Sequence, residues 1–331
     1  MGIKIRAVEY HLPDRRMTNH ELEDLSQGLS AQKIEAKVGI RERRIAANDE
    51  TALDLALRAS RKVLLDESQP VDFILLCTQS PDYFLPSGAC ILQQLLGLPT
   101  GVGALDFNLG CSGFVYGLAL SSGLLKAGIA RRILLVTADT YSKYLDPDDR
   151  ANRTIFGDAA AAVIVEDDPE SRDYQFVLGT DGSGFRNLIV QDGGLRSRVK
   201  EASFGTGFQS GGSCSGPFLK MNGPEIFNFT IDEIPKLFNE VLKNNSLEID
   251  DIDYVIFHQA NKFIIEYLRD KLKIPRSKFY CNLLLTGNTV SSTIPIALKE
   301  TIAKGKILPG SRLLLVGFGV GYSFGACVID L

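Results

Sequence analysis

The sequence has no surplus of basic residues, no long apolar run and no N-terminal signal segment, and these absences exclude several classes of protein. Its 36 Lys and Arg are outnumbered by 40 Asp and Glu, so the net charge is −4, whereas nucleic-acid-binding proteins usually carry a basic surplus. No apolar run approaches the roughly 18 residues that indicate a membrane span. The N-terminus is too short and too charged for a signal peptide. We therefore expect a cytoplasmic protein that binds neither nucleic acid nor membrane.

Paired cysteines are also missing. The six cysteines form no C-x-x-C and no cluster with histidine, so neither a zinc site nor a disulfide framework is expected. Free thiols are typical of a reducing cytoplasm, and a single cysteine is most often a small buried apolar residue. We therefore predict no metal site. The cysteines are Cys77, Cys90, Cys111, Cys214, Cys281 and Cys327.

The order of apolar segments predicts an α/β protein built from two similar halves. The 331 residues exceed the roughly 250–300 at which one hydrophobic core stops growing. Strand-length apolar runs alternate with helical patterns, as in parallel sheets. Residues 252–258 resemble residues 71–77, and Cys111 and Asn288 lie at corresponding strand-to-helix turns. Although α/β proteins generally look self-similar, the matched spacing favours a true repeat, which would bring these turns to the middle of the molecule.

Cys111 is the candidate nucleophile. It follows a predicted strand and precedes an apolar helix, and Gly110 and Gly113 leave space around its thiol. A helix start stabilises negative charge, so this position favours the thiolate that attacks a thioester. The alternative is a buried structural cysteine at the beginning of a helix.

His258 and Asn288 are the polar residues at the ends of two other predicted strands, where parallel sheets bind ligands. Alone, a histidine in this position is more often a core residue, and an asparagine more often a helix N-cap. Together, an imidazole and an amide donor can polarise one carbonyl oxygen, and the imidazole can accept a proton.

The glycine-rich segment 317–325 follows the last long apolar run. Its composition also suits a phosphate-binding loop, but no Lys-Ser/Thr pair accompanies it. We interpret Gly319, Val320 and Gly321 as one half of an oxyanion hole, with the backbone amide of Cys111 as the other half.

Six segments resemble the thiolase superfamily, and within it the β-ketoacyl-acyl-carrier-protein synthase III family. The resemblance implies a five-layered αβαβα fold with two thiolase-type halves, residues 1–170 and 171–331, related by a pseudo-twofold axis. It also implies a homodimer that needs no cofactor. The order and spacing of these segments hold over essentially the whole chain, and the segments are 39–44, 106–117, 156–162, 258–261, 287–292 and 317–325.

The resemblance further implies the reaction. Cys111 would accept an acyl group from acyl-CoA, and His258 and Asn288 would stabilise the enolate that forms when malonyl on acyl carrier protein loses CO₂. The enolate would then attack the acyl thioester in fatty-acid or specialised acyl-chain biosynthesis. An alternative is transfer of the acyl group from Cys111 to an amine or hydroxyl, and a catalytically silent partner subunit is a further alternative.

The sequence departs from the family at residues that bind substrates. There is no tryptophan, although the family often has one near Lys33, and Phe263 and Asn228 occupy positions that are usually basic. Leu85 resembles a residue that, in the family, reaches across the dimer interface to line the acyl pocket. The basic residues available to bind CoA or the carrier are Lys37, Arg41, Arg43, Arg150 and Lys262, although such charges are usually only solvated surface.

Overall fold

The computed structural model describes residues 2–24, 30–65, 67, 69–198 and 217–331, so Cys214 lies outside the described residues. The helices are α1 Asn19–Asp24, α2 Ala31–Val38, α3 Ala52–Leu64, α4 Gly88–Leu95, α5 Gly113–Lys126, α6 Gly223–Asn244, α7 Lys262–Lys271 and α8 Thr293–Ala303. The strands are β1 Gly2–His11, β2 Arg16–Thr18, β3 Glu42–Arg44, β4 Phe73–Cys77, β5 Gly103–Phe107, β6 Arg132–Asp139, β7 Ala159–Asp168, β8 Val177–Thr180, β9 Leu188–Val190, β10 Leu219–Met221, β11 Tyr254–Phe257, β12 Arg312–Gly319 and β13 Ser323–Asp330.

Two mixed β-sheets form the framework. The first has the strand order β1-β7-β6-β4-β5, in which β6, β4 and β5 are parallel and β7 is antiparallel to both of its neighbours. The second has the order β11-β12-β13-β8, in which only β11 and β12 are parallel. Short antiparallel pairs, β2 with β3 and β9 with β10, lie outside these sheets.

Both sheets are covered on each face, because successive residues of a buried strand point in opposite directions. In β6, Leu134 packs outward against α3 and α4, whereas Leu135 packs inward against α5 and α8. In β12, Leu315 faces the same central helices and Leu314 faces α6 and α7. Each such burial contributes about 1.5–3 kcal/mol. The layers are therefore helix, sheet, helix, sheet and helix.

This arrangement confirms the predicted α/β thiolase-like fold. The segment before Asn288, where the sequence predicts a strand, differs: residues 279–285 do not form a regular strand, and only Phe279 among them makes an isolated parallel bridge, to Val255. The backbone N–H of Asn282 instead donates to Oε1 of Gln259 (2.8 Å). The division of the chain at residue 170 stays a prediction.

Hydrogen bonds between buried side chains connect the two sheets and their central helices. The Oγ of Ser112, at the start of α5, lies 2.6 Å from the Oγ of Ser323 in β13, and Thr137 of β6 makes a similar contact of 2.9 Å with Ser292 before α8. These buried contacts fix the strand-to-helix turns relative to each other.

Within the described ranges, none of the helices is both long and apolar enough to cross a bilayer.

Candidate active site

Cys111 lies on the turn between β5 and α5, at the centre of the molecule. Its side chain is only 5% exposed and packs in a small apolar cluster with Phe156 and Val290. Val290 belongs to the turn that carries Asn288. The candidate nucleophile of the first half is therefore buried against the candidate donor turn of the second half.

The expectation that the helix start makes Cys111 a thiolate is wrong for the protein without substrate. Burial, followed by the nearby carboxyl of Asp139, raises the pKa of the Cys111 thiol from 9.0 to about 12. Three pKa units correspond to about 4 kcal/mol, whereas a helix terminus contributes about 0.3–1 kcal/mol, and up to about 2 kcal/mol when partly buried. Desolvation therefore dominates, and the thiol needs a base to lose its proton.

The glycine-rich loop approaches the thiol closely. A Cβ atom added to Gly319 would lie 2.8 Å from the Cβ and 2.9 Å from the Sγ of Cys111. The backbone N–H groups of Val320 and of Cys111 itself hydrogen-bond to Sγ and partly lower its pKa. Two amides therefore converge where an oxyanion would form, from the same two segments that the sequence predicts for an oxyanion hole.

The loop is anchored beyond the thiol by Tyr322. The backbone of Tyr322 exchanges two hydrogen bonds with Asp181, of 2.7 and 3.0 Å, and its ring stacks on Phe229 with centroids 4.1 Å apart. Its hydroxyl oxygen also accepts a hydrogen bond from Nδ2 of Asn187 (2.7 Å). These contacts hold the Val320 amide in position from the far side of the loop.

His258 follows β11 and is 2% exposed. Burial lowers its pKa to about 3, so the imidazole is neutral. Nδ1 lies 2.7 Å from Oγ1 of Thr293, whose hydroxyl donates to the carbonyl of Val290 (3.1 Å). The Thr293 oxygen must therefore accept from Nδ1–H. This leaves Nε2 as the nitrogen with a free lone pair, and thus as a proton acceptor.

Asn288 faces this nitrogen. Its Nδ2 lies 3.5 Å from Nε2 of His258, and its Oδ1 accepts a hydrogen bond from the backbone N–H of Val290 (2.9 Å). Because the oxygen is held by the backbone, the NH₂ group is the part directed toward His258. Asn288 is therefore a fixed hydrogen-bond donor.

The Asn288 turn is held in place by a segment of the first half. The carbonyl of Asn288 accepts from the N–H of Gly157 (3.0 Å), and its own N–H donates to the carbonyl of Ile155 (2.9 Å). Gly287 has φ +68°, and a Cβ there would lie 2.8 Å from the carbonyl oxygen of Ile155. Two glycine-containing motifs distant in sequence thus make one backbone connection.

Arg43 supports this connection and, contrary to its place among the residues available to bind CoA, does not reach the surface. The side chain is fully buried, and burial lowers its pKa to about 10. Nη2 donates to Oδ1 of Asn19 and to the carbonyl of Thr154, both at 2.8 Å. The Cβ of Arg43 also packs close to Gly157 and Gly287. Arg43 is therefore a structural residue beneath the Asn288 turn.

A cavity of about 1040 Å³ opens beside the nucleophile turn. Leu85, the candidate acyl-pocket residue, lines it, although in this chain its side chain is 83% exposed. Val320 connects this cavity to the cluster around Cys111, because it belongs to both. The other lining residues are Gln79, Pro81, Asp82, Tyr83, Phe84, Asn108, Tyr141, Tyr144, Leu188, Ile189, Val190, Asp192, Gly193, Gly194, Pro217 and Leu219.

Three of the candidate binding residues lie near one another. Lys37 is exposed in the last turn of α2, and Lys262, at the start of α7, packs against Gly39 directly after α2. Arg41 is exposed but already forms a two-contact ion pair with Glu35 (3.0 and 3.1 Å). Arg150 is exposed on the loop after β6.

The sequence and structure are similar to those of known enzymes. Residues 105–182 match the family described as 3-oxoacyl-[acyl-carrier-protein (ACP)] synthase III, and residues 242–331 match the description of its C-terminal part. A β-ketoacyl-[acyl-carrier-protein] synthase III of Deinococcus deserti is 39% identical over 328 residues, which are 98% of this chain and 90% of that protein.

Solved structures agree with the sequence comparison. A crystal structure of a 3-oxoacyl-(acyl-carrier-protein) synthase III has 46% identity and a TM-score of 0.94, with complete coverage of both chains. The priming β-ketosynthase of the R1128 polyketide pathway has 26% identity and a TM-score of 0.86, and the match covers 100% of this chain and 96% of that one. The chain therefore belongs to the 3-oxoacyl-[acyl-carrier-protein] synthase III family of condensing acyltransferases.

Proposed function

We propose that the chain condenses an acyl group, taken from acyl-CoA and held on Cys111, with malonyl carried on acyl carrier protein. The observation that carries this proposal is the pairing of a buried thiol with a neutral His258 and an Asn288 amide fixed as a donor. The thiol supplies the acyl acceptor, and the other two residues supply the groups that enolate chemistry requires.

In the first step, the Cys111 sulfur attacks the acyl thioester and the CoA thiolate leaves. The thiol proton passes to Nε2 of His258, which has a free lone pair, and then to the departing CoA sulfur. The backbone N–H groups of Val320 and Cys111 bind the tetrahedral oxyanion; each such donor contributes on the order of 3 kcal/mol. This is the role that we assign to the Gly319, Val320 and Gly321 loop.

In the second step, malonyl loses CO₂ and its electron pair moves onto the thioester carbonyl as an enolate. Asn288 Nδ2 donates to the enolate oxygen, with His258 beside it. The enolate carbon attacks acyl-Cys111, so a carbon–carbon bond forms and the carbon–sulfur bond to Cys111 breaks. A proton from water restores the thiol, and the product is a β-ketoacyl thioester.

The same nucleophile also suits the alternative, transfer of the acyl group to an amine or hydroxyl. Simple transfer needs no donor for an enolate, however. The fixed orientation of Asn288, with its oxygen bound by Val290 N–H (2.9 Å), therefore favours condensation.

The test begins with the acyl-enzyme. The protein is incubated with acyl-CoAs of increasing chain length and its intact mass is measured. We expect one adduct on the wild type and on Cys90→Ser, which removes an exposed thiol, and none on Cys111→Ala. Malonyl-acyl carrier protein should then release CO₂ in proportion to the adduct. An adduct that persists on Cys111→Ala, or one consumed by amines without CO₂ release, would contradict the proposal.

We extend the proposal to a homodimer, because apolar residues surround an open sheet edge. β5 is an edge strand of the first sheet, and Leu105 on it is 47% exposed. Phe84 and Leu85, on the loop after β4, are 81% and 83% exposed. Exposed edges and apolar patches of this kind are typical of interfaces.

Sedimentation of the whole chain tests the dimer. We expect the wild type to sediment as a dimer and Leu105→Asp to shift toward the monomer, since a charge would have to be buried at the interface. A wild type that stays monomeric at micromolar concentration would contradict this arrangement.

The same proposal includes a cytoplasmic location and the binding of CoA phosphates or of the carrier by exposed basic residues. These residues are Lys37, Arg41, Arg150 and Lys262.

A further inference from the structure

One wall of the cavity beside Cys111 carries two amide side chains. Gln79 follows β4 and Asn108 follows β5, and both line the cavity. The opposite walls are mainly apolar, with Leu85, Leu188 and Leu219 among their residues. An acyl pocket for a plain hydrocarbon does not need the polar wall.

Hydrogen bonds within the protein fix the direction of these amides. The hydroxyl of Tyr141 donates to Oε1 of Gln79 (2.6 Å), and Nε2 of Gln79 donates to Oδ1 of Asn108 (2.8 Å). The hydroxyl of Tyr144 donates to the backbone carbonyl of Gln79 (3.0 Å). Each amide oxygen thus already accepts one hydrogen bond, and the second N–H of Gln79 and the NH₂ of Asn108 have no partner among the described residues. The wall therefore offers donors.

The amide wall formed by Gln79 and Asn108 starts next to the turn that carries Cys111. A Cβ atom on Gly110, the residue before Cys111, would lie 2.5 Å from Oε1 of Gln79 and 2.5 Å from a methyl group of Val320. The backbone amide of Val320 in turn reaches the Cys111 sulfur. The Gln79 side chain therefore borders the residue that precedes the nucleophile, so an acyl group on Cys111 that extends into the cavity would meet the amide wall near its thioester end.

We infer that the acyl group held on Cys111 carries an uncharged oxygen, as a hydroxyl or a carbonyl, near its thioester end. The inference rests on the proposed function. A hydrocarbon chain would displace water from the Gln79 and Asn108 donors and leave them unsatisfied, which costs free energy. Sites that hydrogen-bond a substrate oxygen reject the analogue that lacks it.

The charges that the described residues place around the cavity disfavour a carboxylate on the acyl group. Asp82 and Asp192 line the cavity, and no Lys, Arg or His does so among the residues described by the structure. A terminal carboxylate would meet these two carboxyl groups and no cation from the described lining residues, so we expect the oxygen to be neutral.

The experiment compares acyl-CoAs of equal length. The rate of acyl-Cys111 formation is measured by intact mass for butanoyl-CoA, for each enantiomer of 3-hydroxybutanoyl-CoA and for succinyl-CoA. We expect the wild type to prefer one 3-hydroxy donor over butanoyl-CoA by about tenfold or more, as one or two hydrogen bonds allow. Succinyl-CoA should be the slowest.

Two variants assign the preference to the wall. Gln79→Met keeps the length of the side chain but removes its donors, and Asn108→Leu removes donors at an exposed position where folding tolerates the change. Each should lower the hydroxy-to-plain rate ratio at least fivefold, and this ratio is independent of the amount of active protein. A wild type that prefers butanoyl-CoA, or a ratio that both variants retain, would overturn the inference while leaving the acyl-enzyme intact. No adduct with any donor would instead contradict the proposed function.

Discussion

Asn288→Asp should lower the rate of condensation by roughly 10²–10³-fold while acyl-Cys111 still forms. The carboxylate has the shape of the amide and can still accept the hydrogen bond from Val290 N–H that now holds Oδ1 (2.9 Å). It has no donor for the enolate oxygen, however, and it places a negative charge beside a developing negative charge. The variant therefore removes the electrostatic contribution of Asn288 and leaves the turn in place.

Two rates measured on one sample separate the two steps. Acylation is followed by intact mass, and condensation is followed by CO₂ release from malonyl-acyl carrier protein. His258→Ala serves as the comparison, because loss of the proton acceptor should slow acylation as well. If Asn288→Asp slowed both steps equally, the turn would have moved. If it slowed neither, Asn288 would have no role in the enolate step, and transfer to another acceptor would become the better hypothesis.

The catalytic candidates could be predicted because each has a local signature. Cys111 has small residues on both sides and lies between an apolar strand and an apolar helix. His258 is the only histidine at the end of such a strand, and the apparent internal repeat pairs Asn288 with Cys111. The order of apolar runs also predicts the layered fold, because a strand buried on both faces must be apolar throughout.

Burial at individual positions could not be predicted. Arg43 stands in a run with Arg41 and Arg44, and composition does not distinguish the three. Only the pairing of β3 with β2 turns Arg43 inward, where it binds the Thr154 carbonyl (2.8 Å). The protonation of Cys111 was mispredicted for the same reason, since the helix start is visible in the sequence whereas the surrounding desolvation is not.

Contacts between motifs that are distant in the chain could not be predicted from sequence patterns either. The backbone link between Ile155 and Asn288 (2.9 Å) joins residues far apart in the chain, and no periodicity predicts it. The only signal is the presence of Gly157 and Gly287 in the two motifs, because a side chain at either position would collide with the other segment. The amide wall of Gln79 and Asn108 gave no signal, since the two follow different strands that become neighbours only in the parallel sheet.

Gly319→Ala is expected to slow acyl-Cys111 formation by roughly 100-fold or more. The added Cβ would lie 2.8 Å from the Cβ of Cys111 and 2.9 Å from its sulfur. Both distances are too short for non-bonded carbon and sulfur. Either the Cys111 turn or the end of β12 must therefore move, and both alternatives separate the Val320 amide from the oxyanion position. Overpacking of this kind also lowers the free energy of unfolding by about 1–3 kcal/mol.

The matched control is Gly123→Ala. Gly123 lies within α5, the helix that follows Cys111, and a Cβ there would meet no atom within 4 Å. It should acylate at the wild-type rate and raise the free energy of unfolding by about 0.5–1 kcal/mol, because alanine is the better helix former. Acylation rates come from intact mass and stabilities from urea unfolding. If the Gly319→Ala protein acylated at the wild-type rate, the glycine-rich loop could move without slowing acylation. The Val320 amide would then have no role in the oxyanion hole.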